Sequence, residues 1–87
     1  MQQLRLNPDA VSWREVDGEI LALGLASSTY LSTKGTGARL WLSLAEGACR
    51  EDLVGLLVGE YDVAEDRAAH DVDAFIGALS AQGLLCP

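Results

Sequence analysis

The residues best suited to chemistry in this sequence are few. His70, the single histidine, is followed directly by Asp71, a neighbour that could support acid–base work. Catalysis of that kind needs a nucleophile or a second base at a compatible position, and the sequence offers no such set around the pair. A lone histidine on a helix is more typical of a surface residue, so we predict no catalytic residue and no enzyme.

Metal and nucleotide sites are equally weakly indicated. The two cysteines, Cys49 and Cys86, lie far apart and form no CxxC motif, so a zinc cluster lacks ligands. The segment Gly35-Thr36-Gly37 resembles half of a phosphate-binding loop but is not followed by Gly-Lys-Ser/Thr. We therefore expect no metal and no cofactor.

Composition narrows the class of partner. The 87 residues suit one domain, spanning residues 1–87, and 49% of them are hydrophobic. Thirteen acidic and six basic side chains give a formal net charge of −7, which repels phosphate backbones. No stretch is apolar enough for a signal peptide or a membrane helix. We expect a cytoplasmic protein with reduced thiols that binds neither nucleic acid nor membrane.

The elements that would position any site begin with strands. Val11–Val16 and Glu19–Leu25 flank Asp17-Gly18, a strong signal for a two-residue hairpin turn. After the small-residue turn 26–28, Thr29–Thr33 is rich in β-branched and aromatic residues and predicts a third strand. This third strand has no fourth run to pair with, so we place it at an edge of an antiparallel sheet.

Three helices are predicted after the sheet. Thr36 is the expected cap of the first, which Gly47 ends, and acidic residues after Cys49 open the second. Asp62, with Glu65 three residues later, resembles a capping box for the third, which spans about 64–82. Leu84 and Leu85 are expected to fold back onto the core. The predicted core-facing residues are Ala38, Trp41, Leu44, Ala45, Leu53, Leu56, Leu57, either Val58 or Tyr61, Val72, Phe75, Ile76 and Leu79.

The order of these elements predicts a fold class. Helices that follow the sheet, instead of alternating with strands, argue against a parallel sheet. We predict an α+β, winged helix-turn-helix-like domain with a three-stranded antiparallel sheet followed by three helices.

The same residues carry a family resemblance that covers about 10–85. In order and spacing they resemble the pyrroloquinoline quinone biosynthesis protein D family, although Thr33-Lys34 stands where relatives commonly carry Leu-Asn. The matching segments are 11–21, 29–31, 36–41, Leu56, 61–63, 70–72, Phe75 and 82–85.

That resemblance implies a function. Such domains are similar to the free-standing recognition elements of lasso peptide biosynthesis, which bind the leader of a ribosomally synthesised precursor peptide. The family fold adds the leader as a strand beside the third strand, in a groove bordered by the third helix. The implied partners are the leader segment, a transglutaminase-like cysteine protease that removes it, and a cyclase that acts afterwards.

Physical chemistry suggests where a peptide would bind. An edge strand has unpaired backbone groups that can pair with an extended peptide, and alternate side chains then give specificity. On the third helix, small residues follow one stripe with a charged pair at its end. Periodicity alone favours a plain surface for that stripe, and it is the groove implied by the resemblance that adds it to the site. The predicted peptide-binding residues are Ser28, Thr29, Tyr30, Leu31, Ser32, Arg67, Asp71, Ala74, Phe75 and Ala78.

Simpler interpretations stay open for these residues. Tyr30 and Leu31 could both fill the core, and Arg67 with Asp71 could be an ordinary i,i+4 surface pair. The whole chain could also be a winged-helix DNA-binding regulator, since the folds are alike. A third possibility is a chaperone subunit that acts only inside a larger enzyme complex.

Overall fold

The computed structural model describes residues 3–86 and confirms the predicted α+β class. The strands Val11–Val16, Glu19–Gly24 and Thr29–Thr33 form one antiparallel sheet in that order, and the helices follow it. The elements are β1 (Gln3–Leu4), β2 (Val11–Val16), β3 (Glu19–Gly24), β4 (Thr29–Thr33), α1 (Thr36–Glu46), β5 (Ala48–Cys49), α2 (Arg50–Tyr61) and α3 (Glu65–Ala81).

A two-residue turn determines the register of the sheet. Asp17 and Gly18 have φ angles of 53° and 82°, as the predicted type I′ hairpin requires. Val16 then pairs with Glu19, and each following pair continues without a bulge up to Val11 opposite Gly24. The local signal alone therefore aligns two whole strands.

Side chains alternate between two different faces of this sheet. On the inner face, Trp13, Ala22 and Leu31 form one cross-strand row, and the helices cover them. Leu23 and Tyr30 belong to a row on the outer face, where Tyr30 is 82% exposed. The inner face belongs to the core and the outer face is open.

The core lies between the inner face and the helices. Trp41 of α1 is fully buried, and its ring meets that of Trp13 edge-on, with centroids 6.0 Å apart. Leu40 is buried as well, although the predicted helical stripe omitted it. The remaining fully buried large side chains are Ile20, Leu44, Leu53, Leu57, Val72 and Leu84.

Two predicted helix caps are wrong. Thr36 is the first residue of α1, and Gly35, with φ of 66°, precedes the helix without a side-chain cap. Asp62 ends α2 in a left-handed conformation instead of starting α3, whose cap position is Ala64. An N-cap residue needs extended backbone, which Asp62 loses by closing the preceding helix. The predicted stop at Gly47 is confirmed, with φ of 99°.

The core face of α2 is narrower than predicted. Leu53 and Leu57 are buried, but Val58 and Tyr61 are 38% and 39% exposed. The predicted alternatives for the last core position are therefore both wrong. Val58 directly follows Leu57 and therefore points to a different side of the helix. Tyr61 continues the Leu53–Leu57 stripe at i+4, but it is the last residue of α2.

Two short pairings attach the start of the described chain to its middle and to its end, and the sequence did not indicate them. β1 pairs with β5, and Leu6 forms an isolated antiparallel bridge with Leu85. Leu84 is 2% exposed, which confirms that this segment folds back onto the core. Within residues 3–86, no helix combines the length and hydrophobicity needed to cross a membrane.

Candidate functional site

The first component of the site is the free edge of β4. Its only sheet neighbour within residues 3–86 is β3. Val16 and Glu19 close the two-residue turn and exchange backbone hydrogen bonds, and the direction of bonding then alternates from residue to residue along β3. The backbone N–H and C=O groups of Ile20, Ala22 and Gly24 therefore point toward β4. The β4 residues paired with them are Thr33, Leu31 and Thr29. The N–H and C=O groups of Tyr30 and Ser32 therefore point away from the sheet.

The start of the predicted binding strand needs correction. Ser28 lies in the turn before β4, with φ of 54°, so it does not belong to the strand. Thr33 is the last residue of β4, as predicted for the third strand, although it was not among the predicted peptide-binding residues. A residue with positive φ cannot continue a strand ladder, because its backbone is not extended.

The structure separates the roles of Tyr30 and Leu31. Leu31 is partly buried and packs against the core on the inner face. Tyr30 is 82% exposed on the outer face, so the interpretation that it fills the core is wrong. Of the two, only Leu31 borders the side of the sheet on which the helices lie.

Phe75 is the predicted α3 residue that the fold brings near β4. The connection runs through Gly37, at the start of α1. A Cβ placed on Gly37 would lie 3.8 Å from Cε1 of Phe75 and would overlap Oγ1 of Thr33. Phe75 is itself partly buried against the core. The carboxyl end of β4, the start of α1 and Phe75 thus meet at one place.

The other predicted α3 residues form an exposed stripe. Arg67, Asp71, Ala74 and Ala78 are all exposed. Nε of Arg67 lies 3.6 Å from Oδ2 of Asp71, so these two side chains form an i,i+4 ion pair. The pair matches the simpler surface interpretation, and any role in peptide binding stays a prediction.

Two ion pairs hold the helices beneath this surface. Arg50 of α2 donates to both carboxylate oxygens of Asp73 on α3, at 2.6 and 3.0 Å. This hydrogen bonding, with the positive charge of Arg50, lowers the pKa of Asp73. Arg39 of α1 likewise donates to both oxygens of Glu60 at the end of α2, each at 3.2 Å. Their forked geometry fixes α1 and α3 relative to α2.

Catalytic chemistry finds little support in the described part of the chain. His70 is exposed, and residues 3–86 contain no group of three or more metal-binding side chains. Cys49 is buried, Cys86 is exposed, and both are free thiols. The arrangement suits non-covalent binding of an extended chain.

Thr33 and Gly37 are the site residues that sequence reasoning missed. The available signal was a glycine at the second position of a helix, where its cost in helix stability points to a packing reason. The Gly35-Thr36-Gly37 segment, considered above as half a phosphate loop, has this packing role at Gly37.

A shallow depression of about 520 Å³ lies on the outer face of the sheet. Leu21 and Leu23 are half-buried there, and Tyr30 stands at its border toward the free edge. A second depression of about 410 Å³ lies over α2 and the start of α3, around Gly55 and Gly59. Neither of these two depressions lies between β4 and α3.

Solved structures resemble this chain over nearly its full length. One, "TbiB1 in Complex with the TbiA(beta) Leader Peptide", is 32% identical, with a TM-score of 0.86 and 93% of each chain covered. Another, "Lasso peptide synthetase B1 complexed with the leader peptide", is 27% identical, with a TM-score of 0.82, covering 97% of this chain and 98% of that one. Among curated protein sequences, none matches.

The family comparison agrees with the fold and with the resemblance. The model of the family described as "Coenzyme PQQ synthesis protein D (PqqD)" matches residues 13–85, a range that contains β4, α1 and Phe75. This match covers far more than half of the chain, and the protein therefore belongs to the PqqD family.

Proposed function

We propose that this protein binds the leader region of a ribosomally synthesised precursor peptide without catalysing a reaction on it. The leader adds as a further strand to the free edge of β4. Side chains on its inner side contact Leu31 and the region around Phe75. The domain acts as a recognition element in lasso peptide biosynthesis.

The observation that carries this proposal is the open edge of β4. Two peptide groups, those of Tyr30 and Ser32, direct their N–H and C=O outward along that edge. Strand addition satisfies these groups through main-chain bonds that tolerate many peptide sequences. The adjacent inner face offers partly buried apolar side chains, which can select alternate residues of the peptide.

The two solved relatives support the identity of the ligand. Each is described as a complex with a leader peptide, and each matches this chain over at least 93% of its length. We infer that this chain binds the same class of ligand in a corresponding way.

Delivery of the bound leader completes the proposal. A domain that binds a leader without cutting it requires a partner that cuts. We propose a transglutaminase-like cysteine protease for that step, followed by a cyclase, with all components in the cytoplasm. This part is tested by co-purification of this chain with a leader peptidase encoded beside it. The precursor should strengthen the association of the two proteins. A peptidase that cleaves equally fast without this chain would contradict it.

Isothermal titration with the leader of a neighbouring precursor tests binding itself. Ser32→Pro removes an outward N–H from β4 but keeps the ladder bonds to β3, since proline is tolerated where the N–H faces away from the sheet. We expect Ser32→Pro to weaken binding by about tenfold or more, because one buried main-chain bond is lost.

The matched control is Ser32→Ala, which keeps the backbone donor and should bind like the parent chain. Circular dichroism should show both variants folded. Binding by Ser32→Pro at parental strength would contradict strand addition, and no binding by the parent chain would contradict leader recognition.

A further inference from the structure

Tyr30 has an unusual position for a large aromatic residue. It is the second residue of the edge strand β4, and 82% of it is exposed. Its neighbour Leu31 is partly buried on the opposite face of the sheet. The Tyr30 ring therefore contributes little to the packing within residues 3–86.

Strand addition would give this ring a neighbour. The argument here depends on the function proposed above. The outward peptide groups that would hold the ligand belong to Tyr30 and Ser32, and the side chains of those two residues face the outer side. A ligand residue directly opposite Tyr30 would therefore have its side chain on the outer face, close to the ring.

The surroundings of Tyr30 favour an apolar ligand side chain. Within the sheet, the residue paired with Tyr30 is Leu23, which is half-buried beside Leu21 on the same outer face. Across β4 the same row would continue into the ligand. Aromatic rings opposite aromatic or branched apolar side chains are among the favourable cross-strand pairs.

We infer that Tyr30 is a specificity-determining residue that recognises one apolar side chain on the outer face of the bound peptide. The protein would then recognise side chains on both faces of the bound peptide strand. Residues facing the helices contact Leu31 and the region of Phe75, and a residue adjacent in sequence to such an anchor contacts Tyr30. The expected ligand is an extended peptide that carries apolar side chains on both faces, with neighbouring positions pointing to opposite sides.

Selection from a display library of random 15-residue peptides, with the full chain as bait, tests this inference. The variants are Tyr30→Thr, which keeps a β-branched strand former but removes the ring, and Tyr30→Phe, which removes only the hydroxyl. Leu31→Ala is the comparison on the inner face. We expect the parent chain to enrich apolar residues at two adjacent positions.

The variants should separate the two faces. Tyr30→Thr should lose only the outer preference and bind the selected peptides more weakly by up to about five-fold, the upper end of the range for one cross-strand pair. Tyr30→Phe should keep both preferences, and Leu31→Ala should lose only the inner one. An unchanged outer preference in Tyr30→Thr would overturn the inference while leaving leader binding intact.

Two other results would also count against it. If the parent chain enriches no peptide, both this inference and the proposed function fail. If Tyr30→Thr leaves peptide affinity unchanged but converts a dimer of the free chain into a monomer in sedimentation velocity, the ring serves an interface between copies. In that case the assignment of Tyr30 to the peptide is wrong.

Discussion

At the residue scale, the identity of Gly37 follows from how closely α1 approaches the end of β4. A Cβ at this position would overlap Oγ1 of Thr33 and lie 3.4 Å from its Cβ. Glycine inside a helix costs roughly 1 kcal/mol relative to alanine, so a packing reason is needed to explain its presence. The approach of Thr33 supplies that reason and holds the carboxyl end of the binding strand against α1.

Gly37→Ala should therefore destabilise the parent chain, by about 1 kcal/mol net, because the clash exceeds the gain in helix propensity. In a Thr33→Ala background, the same change should be neutral or stabilising by up to about 1 kcal/mol. Urea unfolding of the four proteins measures this coupling. Equal effects in both backgrounds would show that Thr33 is not what excludes a side chain at Gly37.

Leu84 is the second residue whose role is structural and measurable. It is 2% exposed, its N–H donates to the carbonyl of Leu79 at 3.0 Å, and its carbonyl accepts from Asn7 at 2.8 Å. It thereby attaches the end of the described chain to the segment before β2.

Leu84→Ala should lower the free energy of unfolding by about 2–4 kcal/mol, because a fully buried leucine leaves a cavity. In a small domain that is a large fraction of the total stability. Thermal unfolding followed by circular dichroism measures the loss. Leu85→Ala, at a half-buried position, is the control and should cost clearly less.

At the element scale, α2 and α3 are held by charge as well as by the core. The Arg50–Asp73 pair has short, forked contacts, but both side chains are about half exposed. Solvent screens such pairs, so their contribution is modest and depends on pH and salt. The pair adds to the core contacts a polar link between α2 and α3, the helix that carries Phe75.

The sign of the pH dependence follows from the lowered pKa of Asp73. A carboxyl group with a lowered pKa in the folded state adds stability above its unfolded value, 3.8, and loses that stability as pH falls through the folded value. Asp73→Asn should therefore reduce the urea midpoint at neutral pH and converge with the parent as the pH falls through the lowered pKa of Asp73. A difference that persists unchanged into acid would assign the effect to packing instead of charge. Added salt should also shrink it.

At the scale of the whole molecule, the distribution of charge favours a peptide over a nucleic acid as the partner. The formal net charge is −7. The three helical arginines, Arg39, Arg50 and Arg67, each form an ion pair with a carboxylate. Winged-helix regulators bind DNA by placing basic residues against phosphates, and that contact requires unpaired positive charge.

We therefore expect no shift of duplex DNA in gel-retardation assays with the full chain, even at about 50 mM salt, where phosphate contacts are strongest. A basic winged-helix protein at the same concentration serves as the positive control. Salt-sensitive retardation by this chain would restore the DNA-binding alternative.

The sequence by itself determined the order of the main elements and the hairpin register. Local chemistry was sufficient there. Asp17-Gly18 favours a type I′ turn, and the apolar periodicity of each segment predicts whether it forms a strand or a helix. The candidate strand was found in the same way, apart from Ser28, whose positive φ is decided by the turn that precedes β4.

Only the tertiary structure decided which face each side chain occupies and which distant residues meet. Alternation places Tyr30 and Leu31 on opposite faces, but only the packing of the helices shows that Leu31 is inside and Tyr30 outside. The same holds for Gly37 beside Thr33 and Phe75, for the two-residue pairing of β1 with β5, and for Asp62, which ends α2 and so cannot cap α3. The packing of the helices, the contact of Gly37 with Phe75 and the β1–β5 pairing depend on residues far apart in sequence, and such contacts leave no local pattern to detect. The approach of Thr33 to Gly37 and the left-handed backbone of Asp62 are local in sequence, but the residue types there did not specify them.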